Sequence, residues 1–342
     1  MTQSSKALLD NNRIAIGIDI GGTKVSAARV IAAPTHPGQN AADCVQGFIK
    51  QPTPTNPEDF LATLTQMIQA LSTLEGGAME VVAVGIATAG IVDPVAGSIL
   101  GSTGNIPFLR QISQLKTLLE SKVSLPVTVE NDANAAAYGE YKQGAGRGVS
   151  DLLMITLGTG VGGGIILNSQ LVHGGHCAAA EVGHIAVSMS RERLCTCGKW
   201  GCWEAYASGT GLALTAQSLL RATPNATASR VMMGQNNILE VNTHQVIEAA
   251  EEGDPLALKI LSVWHEHIAT GLGSLINVLD PGVIVIGGGM APFVNLERLT
   301  QLTNERAMLP PVDLRLAQLG NHAGLVGAAH LALEAAVVAS RV

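Results

Sequence analysis

Apolar runs separated by Gly-rich breaks open the chain. Residues 14–20 are mostly apolar, residues 21–24 read Gly-Gly-Thr-Lys, and residues 25–31 resume with small and β-branched side chains. A strand, a glycine turn and a second strand predict a β-hairpin. Further apolar runs predict strands at 45–50, 81–88, 126–129, 152–157, 164–167, 283–286 and 314–317.

Apolar residues at helical spacing predict the helices between these strands. The clearest follows Asn56, an N-cap residue with Pro57 after it, and its apolar positions fall at 60, 61, 64, 67, 68 and 71. The other predicted helices cover 112–119, 133–142, 205–221, 244–252, 255–279 and 324–338. Residues 223–242 are polar and poorly patterned, so they predict a loop.

The second half of the chain repeats the order of predicted elements found at the start of the first half. A strand at 152–157, a glycine turn at 158–164 and a return strand at 164–167 match the opening hairpin, with residues 19–23 lying over 156–160. Two such hairpins indicate an internal duplication. The chain is therefore expected to be an α/β protein of two related lobes with a cleft between them.

Composition narrows the class of protein. Of 342 residues, 47% are hydrophobic, so a sizeable core is available, and the 39 glycines fit an α/β protein with many tight turns. The net charge of −7 argues against a basic nucleic-acid-binding face. The longest apolar run, 81–92, is too short to span a bilayer. Reduced thiols suit a cytoplasmic protein, and Cys44 and Cys177 are expected to be buried thiols.

Three glycine-rich turns follow predicted strands. Backbone N–H groups of such turns approach anions closely, so these turns are candidates for binding phosphate. They comprise Gly21, Gly22, Thr23 and Lys24, then Gly158, Thr159 and Gly160, and finally Gly287, Gly288 and Gly289. Asp19 beside the first turn is a natural partner for hydrated Mg²⁺. Any one turn alone is an ordinary connection, but three together favour a bound nucleotide.

Asn131 and Asp132 stand where a strand gives way to a helix. Helix N-termini favour negative charge, so Asp132 is expected to stay ionised at pH 7. The alternative is that Asp132 is only the N-cap of the helix. An ionised aspartate in a cleft could take a proton from a hydroxyl nucleophile, as bases do in phosphoryl transfer.

Residues 181–204 hold a candidate zinc site. Its four ligands would be His184, Cys195, Cys197 and Cys202, which form the thiolate and imidazole set that zinc prefers. The alternative is one disulfide and a stray cysteine, although Cys195 and Cys197 are poorly spaced for a disulfide. Four protein ligands leave no open position, so the zinc would be structural.

Glu181 and Glu204 flank these ligands. They are either solvated surface charges or, if zinc fixes the loop, acceptors for the hydroxyl groups of a sugar. The second interpretation predicts that removing zinc damages sugar binding more than nucleotide binding.

These motifs, in this order, resemble the ROK family of sugar kinases and sugar-responsive repressors. The resemblance covers nearly the whole chain. Around residues 202–209 the chain is most similar to bacterial ROK glucokinases. It rests on residues 19–24, 130–134, 157–164, 181–184, 195–204 and 287–289.

The resemblance implies an actin/hexokinase-like (ribonuclease H-like) fold. Residues 1–130 with 325–342 would form the smaller lobe with the first phosphate turn, and residues 131–324 the larger lobe with the zinc site and the second phosphate turn. It also implies a homodimer or homotetramer.

The resemblance further implies ATP-dependent phosphorylation of glucose at the 6-hydroxyl, with Asp132 as general base. Thr23, Lys24 and the turn at 158–162 would hold the phosphates of ATP, with Asp19 on the Mg²⁺ side and 287–289 against the nucleotide. His184 would serve both zinc and sugar. The sugar would be lined by Gly90, Thr103, Asn131, Asp132, Gly160, Glu181, His184 and Glu204.

Three rival functions remain. One is another hexose kinase of the family, chiefly for N-acetylmannosamine. A second is a sugar-sensing repressor, which the acidic chain and the eighteen residues before Asp19 argue against. The third is a non-catalytic zinc-stapled scaffold. The donor could also be polyphosphate instead of ATP.

Overall fold

The structure is a computed structural model, which describes residues 13–31, 44–73, 80–101, 106–223, 229–235 and 237–340. The strands are β1 (Arg13–Ile20), β2 (Lys24–Ile31), β3 (Val45–Pro52), β4 (Glu80–Thr88), β5 (Ile91–Asp93), β6 (Ser98–Gly101), β7 (Val127–Asn131), β8 (Leu152–Leu157), β9 (Val161–Leu167), β10 (Gln170–Leu171), β11 (Val283–Gly287) and β12 (Leu314–Leu316). The helices are α1 (Pro57–Ser72), α2 (Leu115–Glu120), α3 (Asp132–Gln143), α4 (Glu204–Ala207), α5 (Gly209–Ala222), α6 (Thr243–Glu251), α7 (Pro255–Leu279), α8 (Leu296–Asn304) and α9 (Ala323–Ala339).

Two five-stranded sheets share one strand order. The first runs β3-β2-β1-β4-β7 and the second β10-β9-β8-β11-β12. In the first sheet β1 pairs antiparallel with β2 and parallel with β4, which confirms the predicted opening hairpin. Because each sheet places a hairpin before two later strands, the topology matches the duplication expected from the sequence.

The chain folds into two compact units. Unit 1 comprises Met1–Leu152, Gly164–Ala180 and Ala317–Val342, and unit 2 comprises Leu153–Gly163 and Glu181–Leu316. Helix α3 and residues 164–180 lie in unit 1, whereas the sequence predicted both in the larger lobe. Gly139 of α3 lies so close to Ala323 and Gly327 of α9 that a Cβ there would overlap their backbone.

Helix α9 is the core helix of unit 1. Leu325, Val326 and Ala329 are fully buried in one cluster with Ala15 of β1 and Ala83 of β4. The stretch Gly320–Ala339 is long and apolar enough to span a membrane, although only residues 81–92 were considered as a span from the sequence. More than half of its most apolar 18 residues are buried within the protein. Its apolarity is therefore explained by core packing.

Most predicted elements are present, with a few corrections. The predicted helix at 205–221 is two helices, because Ser208 is extended and its hydroxyl accepts from Gly211 N to cap α5. The helix predicted at 112–119 begins only at Leu115 and follows a 3-10 turn over Pro107–Ile112. The strands β5 and β6 were not predicted, since each is too short for a clear period. Helix α8 was also missed, although it is as long as α6, which was predicted.

Candidate active site

The β1–β2 turn presents the first set of predicted phosphate donors in unit 1. Gly21 N donates to Lys24 O at 2.9 Å, which closes the turn. Thr53 holds the turn through its backbone N to Thr23 O, at 3.1 Å, and through its hydroxyl to Gly21 O, at 2.7 Å. Gly22, Thr23 and Lys24 are exposed, so their donors are accessible to a ligand.

The β7–α3 junction carries Asn131 and Asp132. Asn131 is the N-cap, because its side chain accepts from Ala133 N at 2.9 Å and from Asn134 N at 3.0 Å. Its Nδ2 donates to Gly90 O at 2.9 Å, which brings Gly90 beside this junction. Gly90 has φ of 107°, a backbone conformation that glycine favours.

Asp132 is the first residue of α3 and not its N-cap. Its Oδ1 accepts from Ala133 N at 2.9 Å. Burial raises the pKa of Asp132, against the opposing hydrogen bonds from Ala133 and Asn131. The sequence predicted that the helix N-terminus keeps Asp132 ionised at pH 7, whereas loss of water shifts the pKa in the direction opposite to the effect of the helix end. Part of Asp132 still reaches the surface.

Asp19 lies at the end of β1 in the same unit. Burial and the negative charge of Asp132 raise the pKa of Asp19 to about 7. Gly324, in the first turn of α9, makes room for this carboxylate, since a Cβ there would lie 3.2 Å from Asp19 Cγ. Two neighbouring carboxylates whose pKa values are both raised are a suitable setting for a divalent cation or for proton transfer.

In unit 2, the four predicted zinc ligands converge. The donor atoms of His184, Cys195, Cys197 and Cys202 all lie within 4.8 Å of one another. Cys197 Sγ and Cys202 Sγ are 3.7 Å apart, and His184 Nδ1 is 3.6 Å from Cys195 Sγ. Tetrahedral zinc with bonds of about 2.0–2.3 Å separates its ligand atoms by roughly 3.3–3.8 Å. The two separations given above fall in this range, so the cluster is compatible with a zinc ion.

The local backbone explains how the chain reaches this geometry. Gly198 and Gly201 have φ of 82° and 77°, as expected for glycines at tight turns between metal ligands. Gly198 N donates to Cys195 O at 2.9 Å. A Cβ at Gly201 would overlap Ser188 O, so glycine is required there for close approach as well.

His184 and Glu181 follow one another along the start of this loop. With Nδ1 facing the thiols, His184 Nε2 points toward Glu181 Oε2 at 3.9 Å. The Glu181 side chain is 54% exposed. This leaves the carboxylate and one imidazole nitrogen able to meet a ligand while the other imidazole nitrogen faces the cysteine thiols.

Glu204 connects the zinc loop to the second glycine turn within unit 2. Its Oε1 accepts from the Thr196 hydroxyl at 2.8 Å and lies 3.3 Å from Cys195 Sγ. Its Oε2 accepts from Val161 N at 3.1 Å. A Cβ at Gly160 would overlap Oε2, so this glycine allows the carboxylate to approach. Glu204 is thus more extensively bonded than a solvated surface charge would be.

The second and third glycine turns are held by neighbouring backbone. Gly158 N donates to Gly160 O at 2.9 Å, and Gly209 N donates to Gly158 O at 2.8 Å. Thr210 Oγ1 donates to Thr159 O at 2.9 Å. Met290 N, just after 287–289, donates to Leu157 O at 2.9 Å, so these two turns meet at the end of β8.

The predicted site residues thus form two groups. Unit 1 brings together Asp19, Gly90, Asn131 and Asp132, with the turn at 21–24 at the end of the same sheet. Unit 2 brings together the zinc ligands, Glu181, Glu204 and the turns at 158–160 and 287–289. Thr103 lies outside the described residues. Of the remaining thiols, Cys44 is buried as expected, whereas Cys177 is only partly buried.

Two residues beside the site were not singled out from the sequence. Glu130, directly before Asn131, is buried, and its carboxylate lies 2.7 Å from His173 Nε2. Glu130 has a local signal, since it ends a strand beside two predicted site residues. His173 has none, because the two residues lie 43 positions apart.

Comparison with known proteins finds relatives that match the chain over nearly its whole length. It is 37% identical to the glucokinase of Streptomyces coelicolor over 329 residues, which cover 94% of this chain and 98% of that protein. It is 31% identical to an N-acetylgalactosamine kinase of Shewanella sp. strain ANA-3, over 92% of this chain and 95% of the relative.

Solved structures agree. The crystal structure of a ROK family glucokinase from Streptomyces griseus in complex with glucose and AMPPNP matches with a TM-score of 0.74 and 37% identity, over 94% of this chain and 99% of that one. This confirms the predicted actin/hexokinase-like fold. The family model described as "ROK family" matches residues 15–335. The chain belongs to the ROK family.

Proposed function

We propose that this protein is an ATP-dependent glucokinase that transfers the γ-phosphoryl group of ATP to the 6-hydroxyl of glucose. The observation that carries this proposal is the 37% identity, over nearly the full length, to a glucokinase and to a glucokinase solved with glucose and AMPPNP. The paired carboxylates of unit 1 and the exposed turn at 21–24 supply the chemistry that such a reaction needs.

Asp132 would act as the general base. A carboxylate with a raised pKa accepts a proton more readily than an ordinary aspartate, and general bases contribute about 10²- to 10⁴-fold to rate. As the hydroxyl oxygen attacks the γ-phosphorus, its proton passes to Asp132 and the bond to the β–γ bridging oxygen breaks, releasing ADP. Asn131 and the N-terminal turn of α3 hold the carboxylate in place.

The other hydroxyl groups of the sugar would meet Asn131, Glu181, His184 and Glu204, with Gly90, Thr103 and Gly160 lining the pocket. Support comes from the exposed carboxylate of Glu181 and from His184 Nε2, which faces it. Glu204 would have to share its oxygens between the sugar and its present partners, Thr196 and Val161 N.

The phosphates of ATP would bind the three glycine turns. The donors proposed are Gly21, Gly22, Thr23, Lys24, Gly158, Thr159 and Gly160, with Gly287, Gly288 and Gly289 against the nucleotide. Asp19 would face Mg²⁺, which would lower the pKa of this carboxylate and neutralise phosphate charge.

Zinc would be held by His184, Cys195, Cys197 and Cys202, whose donor atoms lie within 4.8 Å of one another and are the types that zinc prefers. Bound zinc would supply rigidity and no chemistry, because all four positions are filled by protein. His184 would then be fixed with Nε2 free for the sugar.

A second candidate is a kinase for an N-acetylated hexose, such as N-acetylmannosamine. It is favoured by the 31% identity to an N-acetylgalactosamine kinase over almost the whole chain. The same proposal includes a lack of nucleic-acid partners, which the acidic composition supports. It also includes a cytoplasmic location, a role in glycolysis and a homodimer or homotetramer, which are expectations for the family.

A coupled assay of ADP release tests the proposal. The protein would be supplied with ATP, Mg²⁺ and either glucose, mannose, fructose, N-acetylmannosamine or N-acetylgalactosamine. We expect the highest kcat/KM with glucose. Activity confined to an N-acetylated hexose would overturn the substrate assignment in favour of the second candidate.

The role of Asp132 is tested in the same assay. Asp132→Asn should lower kcat by about 10²- to 10⁴-fold. The matched control is Asp59→Asn, which changes an aspartate in the first turn of another capped helix of unit 1 and should leave kcat within about twofold. Near-wild-type turnover by Asp132→Asn would show that this residue is not the base.

A further inference from the structure

Glu130 and His173 form a hydrogen-bonded pair next to the proposed general base. Glu130, near the end of β7, is only 4% exposed. Its Oε1 accepts from Asn131 N at 2.9 Å and from Asn134 Nδ2 at 3.1 Å. Its Oε2 lies 2.7 Å from His173 Nε2. All four residues belong to unit 1, and the contacts surround the junction from which Asp132 projects.

A buried carboxylate is costly unless hydrogen bonds and a counter-charge replace its water. Glu130 receives two N–H donors from its own junction, and His173 is the cationic partner found for it among the described residues. The hydrogen bond with Glu130 raises the pKa of His173, so the pair favours the charged imidazolium. Removing His173 would leave Oε2 without its donor inside the protein.

His173 also organises the segment that follows β10. Its carbonyl oxygen accepts from Ala179 N at 3.0 Å, which closes residues 173–179 into a loop. Gly174, Cys177 and Ala180 have positive φ, so this loop is tightly bent. The next residue along the chain is Glu181, a proposed sugar ligand.

We propose that Glu130 and His173 form a positioning pair that fixes the β7–α3 junction and, with it, the direction in which Asp132 projects. The pair touches neither substrate nor the reacting atoms, so its effect passes through Asn131 and Asp132. This inference rests on the proposed role of Asp132 as general base. It predicts that the pair controls kcat more than affinity for ATP.

The geometry of a base matters because a displacement of about 1 Å can cost about 10²-fold in rate. His173→Ala should therefore lower kcat about 10- to 100-fold while the KM for ATP stays within about twofold. His173→Gln should restore kcat to within about threefold of wild type, because its amide nitrogen can donate to Glu130 Oε2. Both variants would be measured in the coupled assay together with their unfolding by urea.

Glu130→Gln separates position from charge. Its amide can still accept from Asn131 N and can donate to a neutral His173, so kcat should stay within about threefold. The imidazole of His173, followed by NMR as pH is varied, should lose its raised pKa in this variant. This measurement needs no activity, so it remains informative if the protein phosphorylates none of the sugars tested.

The matched control is Tyr138→Phe on the same helix. Tyr138 donates to Glu334 Oε2 at 2.6 Å, away from the junction, so its loss should affect unfolding but not kcat. The proposal is overturned if His173→Ala keeps kcat within twofold, if His173→Gln gives no rescue, or if Tyr138→Phe lowers kcat as much as His173→Ala does. If His173→Ala does not fold, the comparison of His173→Gln with His173→Asn, whose shorter amide reaches less far, replaces it. Equal kcat in those two variants would also overturn the proposal.

Discussion

The β1–β2 and β8–β9 turns occupy equivalent places in two sheets of the same strand order, yet they are built differently. The first turn exposes Gly22, Thr23 and Lys24 and is held chiefly by Thr53. The second turn carries a single functional side chain, that of Thr159, and is held from below by Glu204, Gly209 and Thr210.

The residues just before the turns differ in the same way. Asp19 ends β1 with a raised pKa, whereas the corresponding residue of β8 is Thr156. In the proposed function the duplicated hairpins would therefore have different roles: the first would supply charged side chains, and the second would supply backbone held in place by neighbouring residues. This division of labour can be tested by changing one hairpin at a time.

The largest expected effect is that of Asp19→Asn in the first hairpin. Loss of the proposed Mg²⁺-facing charge should lower kcat/KM by about 10²-fold or more. Stability should change in the opposite sense. Because the pKa of Asp19 is raised to about 7 in the folded protein, folding favours the protonated carboxyl group. The contribution of Asp19 to the free energy of unfolding is therefore complete below about pH 4 and is lost as the pH rises through 7.

Asp19→Asn should therefore be more stable than wild type at pH 8, by up to about 4 kcal/mol, and should show no gain at pH 4. Urea unfolding at both pH values measures this. Thr156→Val is the control in the second hairpin, and it should change kcat/KM by less than about threefold. An equal loss in Thr156→Val would end the contrast between the hairpins.

Removing zinc should affect the second turn and spare the first. Glu204 bonds to Thr196 and lies beside Cys195, so a loosened metal loop should release the carboxylate that holds Val161 N. Hydrogen exchange after chelation should rise in peptides covering 158–161 and stay unchanged in those covering 21–24. The affinity for glucose should fall about 10-fold or more, and the affinity for AMPPNP should fall less. Equal loss of both ligands, with faster exchange everywhere, would indicate general unfolding instead.

The smallest effect should come from a methyl group in the second turn. A Cβ at Gly160 would overlap Glu204 Oε2, whereas one at Gly158 has no neighbour nearer than 4.0 Å. Gly160→Ala should raise the KM for glucose about 5- to 10-fold and speed the release of zinc to a chelator. Gly158→Ala should release zinc at the wild-type rate. The same rate in both variants would show that Glu204 does not join the metal loop to the turn.

Features encoded locally were predicted well from the sequence. Asn56 and Pro57 predict the start of α1, and the glycine turns predict both hairpins. The convergence of His184, Cys195, Cys197 and Cys202 was also predicted, because thiols and imidazole at short spacing have few uses other than binding a metal. The helix break at Ser208 was missed, because apolar spacing continues through it while the serine caps the next helix.

Features that depend on distant partners were not predicted. The pKa of Asp132 follows from burial, which the helix-end argument did not include. Glu204 acquires its role from Val161, 43 residues away, and Glu130 acquires its role from His173. Such pairs are set by tertiary packing, which single-residue patterns do not encode.

The backbone contacts of α9 have a consequence for sequence change. Gly17 of β1, Gly85 of β4 and Gly327 of α9 sit where a Cβ would overlap a carbonyl oxygen of Leu325, Ala328 or Ala135. A methyl group at Gly17 or Gly85 would push α9 away from the sheet, and one at Gly327 would push α9 away from α3; either movement would shift Gly324 relative to Asp19. An exposed residue such as Glu181 can be substituted without a backbone clash, whereas even alanine at these three glycines would displace the backbone behind the two aspartates. In a saturation library, these glycine positions should be as intolerant as Asp132 itself, although none of them would touch a substrate.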